Sequence, residues 1–183
     1  GDQRVRELIV CKALGEVLHG YFENYAADEN LPANHWFWDR TQSGGIFIEH
    51  GVHFFDLFAG WLGDGRVVSA QISARGATGM EDQTQCAVRY GPEAIVNFYH
   101  GFTQAGRMDR QEFRLVFERG DITLFEWVPV RMSMRGIADE CSMTAIMKLF
   151  PGARLSAIEH YTADGRACAA RHTSLDVAQR FEL

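Results

Sequence analysis

Lysine is nearly missing from this chain: of 18 basic residues only Lys12 and Lys148 are lysines. A reaction that needs a lysine nucleophile therefore has few candidates. Basic residues form no cluster and the net charge is −6, which argues against a nucleic-acid partner. The four cysteines, Cys11, Cys86, Cys141 and Cys168, stand far apart with no Cys-x-x-Cys. That pattern excludes a small disulfide scaffold or zinc ribbon and predicts reduced, mostly buried thiols in a cytoplasmic protein. The longest apolar stretch, Ile46 to Leu62, carries Glu49, His50, His53 and Asp56 and is no membrane span. No signal peptide is visible at the start, where Gly1 looks like the residue a cleavage leaves. The only Gly-x-Gly is Gly63-Asp64-Gly65, with Val68 where a third glycine belongs, so the dinucleotide fingerprint is missing. A phosphate-binding loop and a Gly-x-Ser-x-Gly elbow are missing too.

What is present has ordinary globular proportions, 46% apolar and 23% charged. A chain of 183 residues buries a full core and is expected to be a single domain. Arg4 to Leu14 reads as a helix that Gly15 stops. Glu16 to Tyr25 reads as a strand, and Ala26 to Gly44 as a long loop. A second helix is predicted from about Gly45 to Gly63. From Val67 onward the apolar period switches to two, predicting strands through Val67–Ala74, Thr84–Tyr90, Ala94–His100, Glu112–Glu118 and Ile122–Trp127. A hairpin is expected from Ala153–Tyr161 and Arg166–Thr173 about Ala163-Asp164-Gly165, then a last helix from Ser174. Val130 to Phe150 reads equally as a short helix or an extra strand. The sum is an α+β fold: an open, mostly antiparallel sheet of about six or seven strands with helices on one face. Its other face is left for water or a partner.

The second helix holds the strongest chemical signal. At about 100° per residue, Glu49, His53 and Asp56 fall within an arc of roughly 60°. Phe47, Ile48, Val52, Phe54, Phe55, Phe58 and Leu62 cover the remaining sides, so the helix is expected to be buried. Buried ionisable groups cost several kcal/mol unless paired or solvated, so the stripe is expected to face a pocket. His53 suits proton exchange near neutral pH, and a carboxylate one turn away orients it. A structural ion-pair cluster is the bland alternative. A metal site is a third: Glu-x-x-x-His can bind zinc, yet the order is not His-Glu-x-x-His and only Asp56 is at hand to complete a set. His50 lies off the stripe and reads as a packed or capping residue.

A second constellation is His35-Trp36-Phe37-Trp38-Asp39-Arg40. Its aromatic residues either line a ligand pocket or pin the loop, with Arg40 paired to Asp39 or to the stripe. On the strand Asn97–His100, Asn97 and Tyr99 point one way and His100 the other.

Trp36-Phe37-Trp38-Asp39, Ser43-Gly44-Gly45 and Glu49-His50-Gly51-Val52-His53-Phe54-Phe55-Asp56 together resemble the second domain of the Gfo/Idh/MocA oxidoreductases. That family carries a signature like Gly-Gly-Gly-x-x-x-Asp-x-Gly-x-His-x-x-Asp. The resemblance extends over nearly the whole chain, 1–183. It implies that a hydride passes between a sugar or polyol and NAD or NADP, with His53 as acid/base and Glu49 assisting it or holding substrate. Asp56 would support the pair, and Trp38 and Arg40 would contact a sugar-like substrate. It also implies a homo-oligomer formed through the open sheet face. Glu49 stands where the family mostly has Asp. The nucleotide-binding (Rossmann) domain, with its glycine fingerprint and Glu-Lys-Pro motif, has no counterpart here, so this chain alone is expected to bind dinucleotide poorly and be inactive. The alternatives are a non-catalytic oligomerisation or binding module and a metal-dependent hydrolase built on Glu49, His53 and Asp56.

Overall fold

The structure, a computed structural model, describes residues 2–28, 30–74, 79–127, 129, 131–161 and 170–176, with backbone alone from residue 154. Among the described residues fifteen elements follow in chain order. They begin with α1 (Asp2–Val10), β1 (Val17–Ala27), a 3-10 turn (Trp36–Trp38), α2 (Arg40–Ser43), a π-helical turn (Phe47–Gly51) and α3 (Val52–Leu62). Then come β2 (Gly65–Ala74), β3 (Glu81–Tyr90), β4 (Ala94–Gln104), β5 (Arg110–Phe117), β6 (Gly120–Phe125) and β7 (Arg131–Ala138). The last are α4 (Glu140–Leu149), β8 (Arg154–Tyr161) and β9 (Ala170–Asp176). The hydrogen-bonded strand order is β2-β3-β4-β1-β5-β6-β7-β9-β8, an open sheet in an α+β fold. The pairs β2–β3, β3–β4, β6–β7, β7–β9 and β8–β9 are antiparallel. No helix among the described residues is long and apolar enough to cross a membrane.

The chain falls into two compact units, 1–20 with 113–183, and 21–112. In the first, Val5 and Leu8 form the buried side of α1. The helix stops at Val10 and not at Leu14, because Lys12 takes φ +51° and turns the chain. Gly15 follows at φ +85°, where a Cβ would collide with the Glu118 carboxylate that accepts the Glu16 N–H at 3.0 Å. In the ambiguous stretch, Met132 and Met134 bury alternate positions of β7, and Asp139 caps α4 by accepting the Ser142 N–H at 2.7 Å. The hairpin β8–β9 forms as expected, and its turn and Cys168 lie outside the described residues. The helix predicted from Ser174 does not begin there: residues 174–176 belong to β9, and the rest of the predicted helix lies outside the described residues. Ser174 lies inside β9, opposite Arg135 on one side and Ala157 on the other. Ladders on both sides outweigh a local helical preference.

In the second unit β3 alternates throughout, and β4 alternates from Ala94 to His100. Thr84, Cys86, Val88, Tyr90, Val96, Phe98 and His100 are buried, while Gln85 and Asn97 are exposed. Helix α3 covers the buried face. Phe54 stacks on Phe22 with ring centres 3.7 Å apart, and Phe58 meets Phe98 edge-on at 5.1 Å. Each such phenylalanine contributes about 1.5–3 kcal/mol. The outward face of this unit is uncovered, as expected. Strand β2 closes the sheet as an edge and is exposed along all 10 residues. The expectation of mostly buried thiols fails: Cys86 is buried, but Cys11 and Cys141 are exposed. Burial pushes the Cys86 thiol up to about 11.

Candidate functional site

The helix bearing Glu49 and His53 begins at two glycines. Gly44 and Gly45 take φ +79° and +92°, and a Cβ on Gly44 would lie 2.8 Å from Ile48. The Ser43 hydroxyl accepts the Gly45 N–H at 3.0 Å. The next amide, Ile46 N–H, has no cap from its own segment. It donates to Glu81 of β3 at 3.0 Å, which places a carboxylate at the positive end of the helix. Glu81 Oε2 also stands 3.9 Å from the exposed guanidinium of Arg40. Arg40 therefore pairs with Glu81, and neither with Asp39 nor with the stripe. Asp39 caps α2 instead, accepting Gln42 Nε2 at 2.6 Å, Thr41 Oγ1 at 2.7 Å and the Thr41 N–H at 2.9 Å. These bonds, the Gln42 one foremost, hold its carboxyl below the usual range.

The helix is not buried all round. Phe54, Phe58 and Trp61 point inward, whereas Ile48 and Val52 are 66% and 47% exposed. Glu49 is half-buried, and His53 and Asp56 are exposed. The greasy pattern misleads because the sheet of this unit covers one side of the helix only. The stripe lies on the outer side and escapes the desolvation cost of an interior position. Asp56 lines an open cleft of 390 Å³ with Val52, Phe55, Val67, Val88 and Tyr90; Glu49 and His53 do not line it. The first turn of the helix, Phe47–Gly51, winds as a π turn, so Glu49 departs from the angle a uniform α period assigns. Such single π turns recur at functional sites.

His50 packs, as its position off the stripe predicts. Its Nδ1 lies 3.1 Å from Nδ1 of His100, and its ring stands 5.4 Å from Phe102. Burial, with His53 nearby, lowers the His50 value to about 4. Burial, with His50 nearby, lowers His100 to about 3. Both rings are neutral at physiological pH. The aromatic loop pins itself through the same residue. Phe37 and Trp38 meet Phe102 edge-on at 5.1 and 6.5 Å, and His35 Nδ1 accepts the Phe37 N–H at 3.3 Å. The buried indole N–H of Trp38 has no acceptor among the described residues.

Phe102 thus brings Trp38 and the π turn together, Glu81 brings Arg40 to the helix start, and Asp56 turns toward the cleft. Among the described residues no three His, Cys, Asp or Glu side chains gather as a metal set, so the geometry gives the hydrolase alternative no support. Sequence reasoning missed Glu81, whose role depends on a contact 35 residues away. His100 did leave a signal, as it shares strand parity with the buried Val96 and Phe98.

A family model, described as the GFO/IDH/MocA C-terminal domain, matches residues 3–123. No curated protein sequence gives a significant match. Among solved structures the chain is similar to an NAD binding oxidoreductase from Klebsiella pneumoniae, with 19% identity and a TM-score of 0.64 over 74% of this chain and 40% of that one. An inositol dehydrogenase homolog from Azotobacter vinelandii, complexed with NAD+, gives 17% and 0.62 over 73% and 37%. A levoglucosan dehydrogenase complexed with NADH gives 16% and 0.61 over 74% and 41%. These likenesses show a shared fold, and the chain spans between 37% and 41% of the length of these three structures.

Proposed function

Because the chain belongs to the GFO/IDH/MocA C-terminal domain family, we propose that it is the substrate-side part of an NAD(P)-dependent oxidoreductase acting on a sugar, polyol or related hydroxy compound. The observation that carries this reading is the outer side of one helix. It presents exposed His53 one turn after half-buried Glu49, on a segment whose start is fixed by Gly44, Gly45 and Glu81. His53 exchanges the proton at the reacting oxygen, and Glu49 orients the imidazole or a substrate hydroxyl. Asp56, Trp38 and Arg40 contact the substrate.

The described residues do not fit the dinucleotide. A diphosphate cradle needs glycines that open a helix, and Gly63-Asp64-Gly65 leads straight into β2. Cofactor binding is therefore assigned to a separate nucleotide-binding domain, and this chain alone to an inactive state. A cytoplasmic location suits the unpaired Cys11, Cys86 and Cys141.

The test uses the protein together with that domain, with inositol and levoglucosan as probes and NAD(P)H formation as the signal. His53→Ala should lower turnover about 10²-fold or more. Turnover near the unmodified level would remove the assignment.

A second reading, a binding or oligomerisation role, is favoured by the uncovered face of the 21–112 unit. Tyr21, Glu23, Tyr25, Gln85, Asn97 and Tyr99 line a shallow 360 Å³ depression there. A homo-oligomer through that face is compatible with catalysis at the helix.

A further inference from the structure

His100 is a fully enclosed polar side chain beneath the helix. It is fully buried, with ring centres of Phe22, His50, Phe47 and Phe54 at 5.1, 5.2, 5.6 and 5.6 Å. The π turn settles directly onto it. A Cβ on Gly51 would lie 2.9 Å from Phe47 Cδ1, so glycine lets the Phe47 ring close on the turn, and 3.6 Å from His100 Nε2, an ordinary packing distance. The single polar contact of His100 that the structure resolves is Nδ1 to Nδ1 of His50 at 3.1 Å.

That contact defines both tautomers. His100 Nε2 is buried with no partner among the described residues. A proton there would be a buried orphan donor, which is rarer and costlier than an idle lone pair. The proton of His100 therefore sits on Nδ1 and donates to His50 Nδ1, and His50 carries its own proton on Nε2. Each ring then has one orientation. The π turn is tied to it, because His50 is the residue of that turn that makes a polar contact with His100 of β4. Relaxing Phe47–Gly51 to an α turn would rotate Glu49 about the helix axis relative to His53.

We propose that His100 is a positioning residue: through its hydrogen bond to His50 it holds the π turn and so fixes Glu49 relative to His53. The proposal rests on the reading of those two residues as the proton-handling pair. It touches neither substrate nor cofactor.

The first arm is nitrogen NMR of histidine-labelled chain. His100 should show the Nδ1–H tautomer and His50 the Nε2–H tautomer at neutral pH. The reverse assignment, or rapid exchange of both rings between tautomers, overturns the proposal. The second arm is kinetic, in the protein with its nucleotide-binding domain. His100→Leu should lower kcat on the order of 10- to 100-fold, the scale of a misplaced catalytic geometry, and change KM little. His100→Asn, whose amide N–H stands where Nδ1–H stood, should recover most of the loss. A His100→Leu protein with unchanged kcat and pH profile overturns the proposal, and so does an equal loss in the Asn and Leu proteins. The two ideas fail separately. A fully active His53→Ala removes the proton-transfer reading, while the ring tautomers still decide whether His100 locks the turn.

Discussion

At the residue scale, the buried imidazole pair gives the protein an acid limit. His50 and His100 have folded values of about 4 and about 3, both below the ordinary 6.5. Between those values and 6.5 the unfolded chain binds protons that the folded chain refuses. Stability is therefore fully present above about 6.5 and falls as pH drops, at about 1.4 kcal/mol per unit for each such proton. A first proton on either ring would also face the other at 3.1 Å. Thermal unfolding followed from pH 7 to pH 4 should show a falling midpoint, and the doubly substituted His50→Phe, His100→Phe chain should show a shallower fall. An equal slope in the two chains would mean that other groups set the acid limit. Single residues also mark how far sequence reading reaches. His53, Glu49 and Asp56 were visible as ionisable groups in a greasy run. Their exposure was not, because a pattern that is apolar all round does not say which side a sheet will cover.

At the scale of elements, the helix is legible and its first turn is not. The apolar period locates α3 and its inward Phe54 and Phe58, but a fixed period cannot contain a π turn. That turn packs against His100 and starts at an amide held by Glu81, and both contacts come from distant strands. The same cause explains Ser174, which local preference assigns to a helix and two flanking ladders keep in β9. Glu81 supplies what the helix start lacks. Glu81→Ala leaves the Ile46 N–H without its carboxylate acceptor and Arg40 without its partner. The ion pair is long and the guanidinium exposed, so it adds little. The lost cap should dominate, at about 1 kcal/mol, with a larger part retained in Glu81→Gln, whose amide oxygen still accepts. Urea unfolding of the three proteins measures this. Equal stability of all three would show that the helix start is held by its glycines and Ser43 alone.

At the scale of the whole molecule, what was legible is the class: α+β with an open sheet, and in the 21–112 unit a face without helices. The alternation in β3 and β4 gives it away, since a strand half buried and half polar needs cover on one side only. The uncovered face is neither bland nor greasy. Tyr25 OH donates to Glu23 at 3.0 Å and lies under the Arg110 guanidinium at 4.9 Å, Tyr99 OH donates to Gln83 at 3.2 Å, and Tyr21 OH donates to Glu112. Tyrosines whose hydroxyls are already held offer rigid, partly apolar rings at little entropic cost, the composition of a contact surface more than of a solvated one. Burial raises Tyr25 and Tyr99 above their ordinary value, so the face carries no tyrosinate charge at neutral pH. The acidic groups of this region, Glu23 and Glu112, are both engaged by tyrosine hydroxyls. Light scattering at tens of micromolar should therefore report a dimer or tetramer. Tyr99→Glu, which places a charge at the middle of the face, should shift it toward monomer by tenfold or more in dissociation constant, about 1.4 kcal/mol. A monomer in the unmodified protein would remove the face as an interface. An oligomer indifferent to Tyr99→Glu would move the interface elsewhere, and the exposed edge strand β2 would be the next surface to substitute.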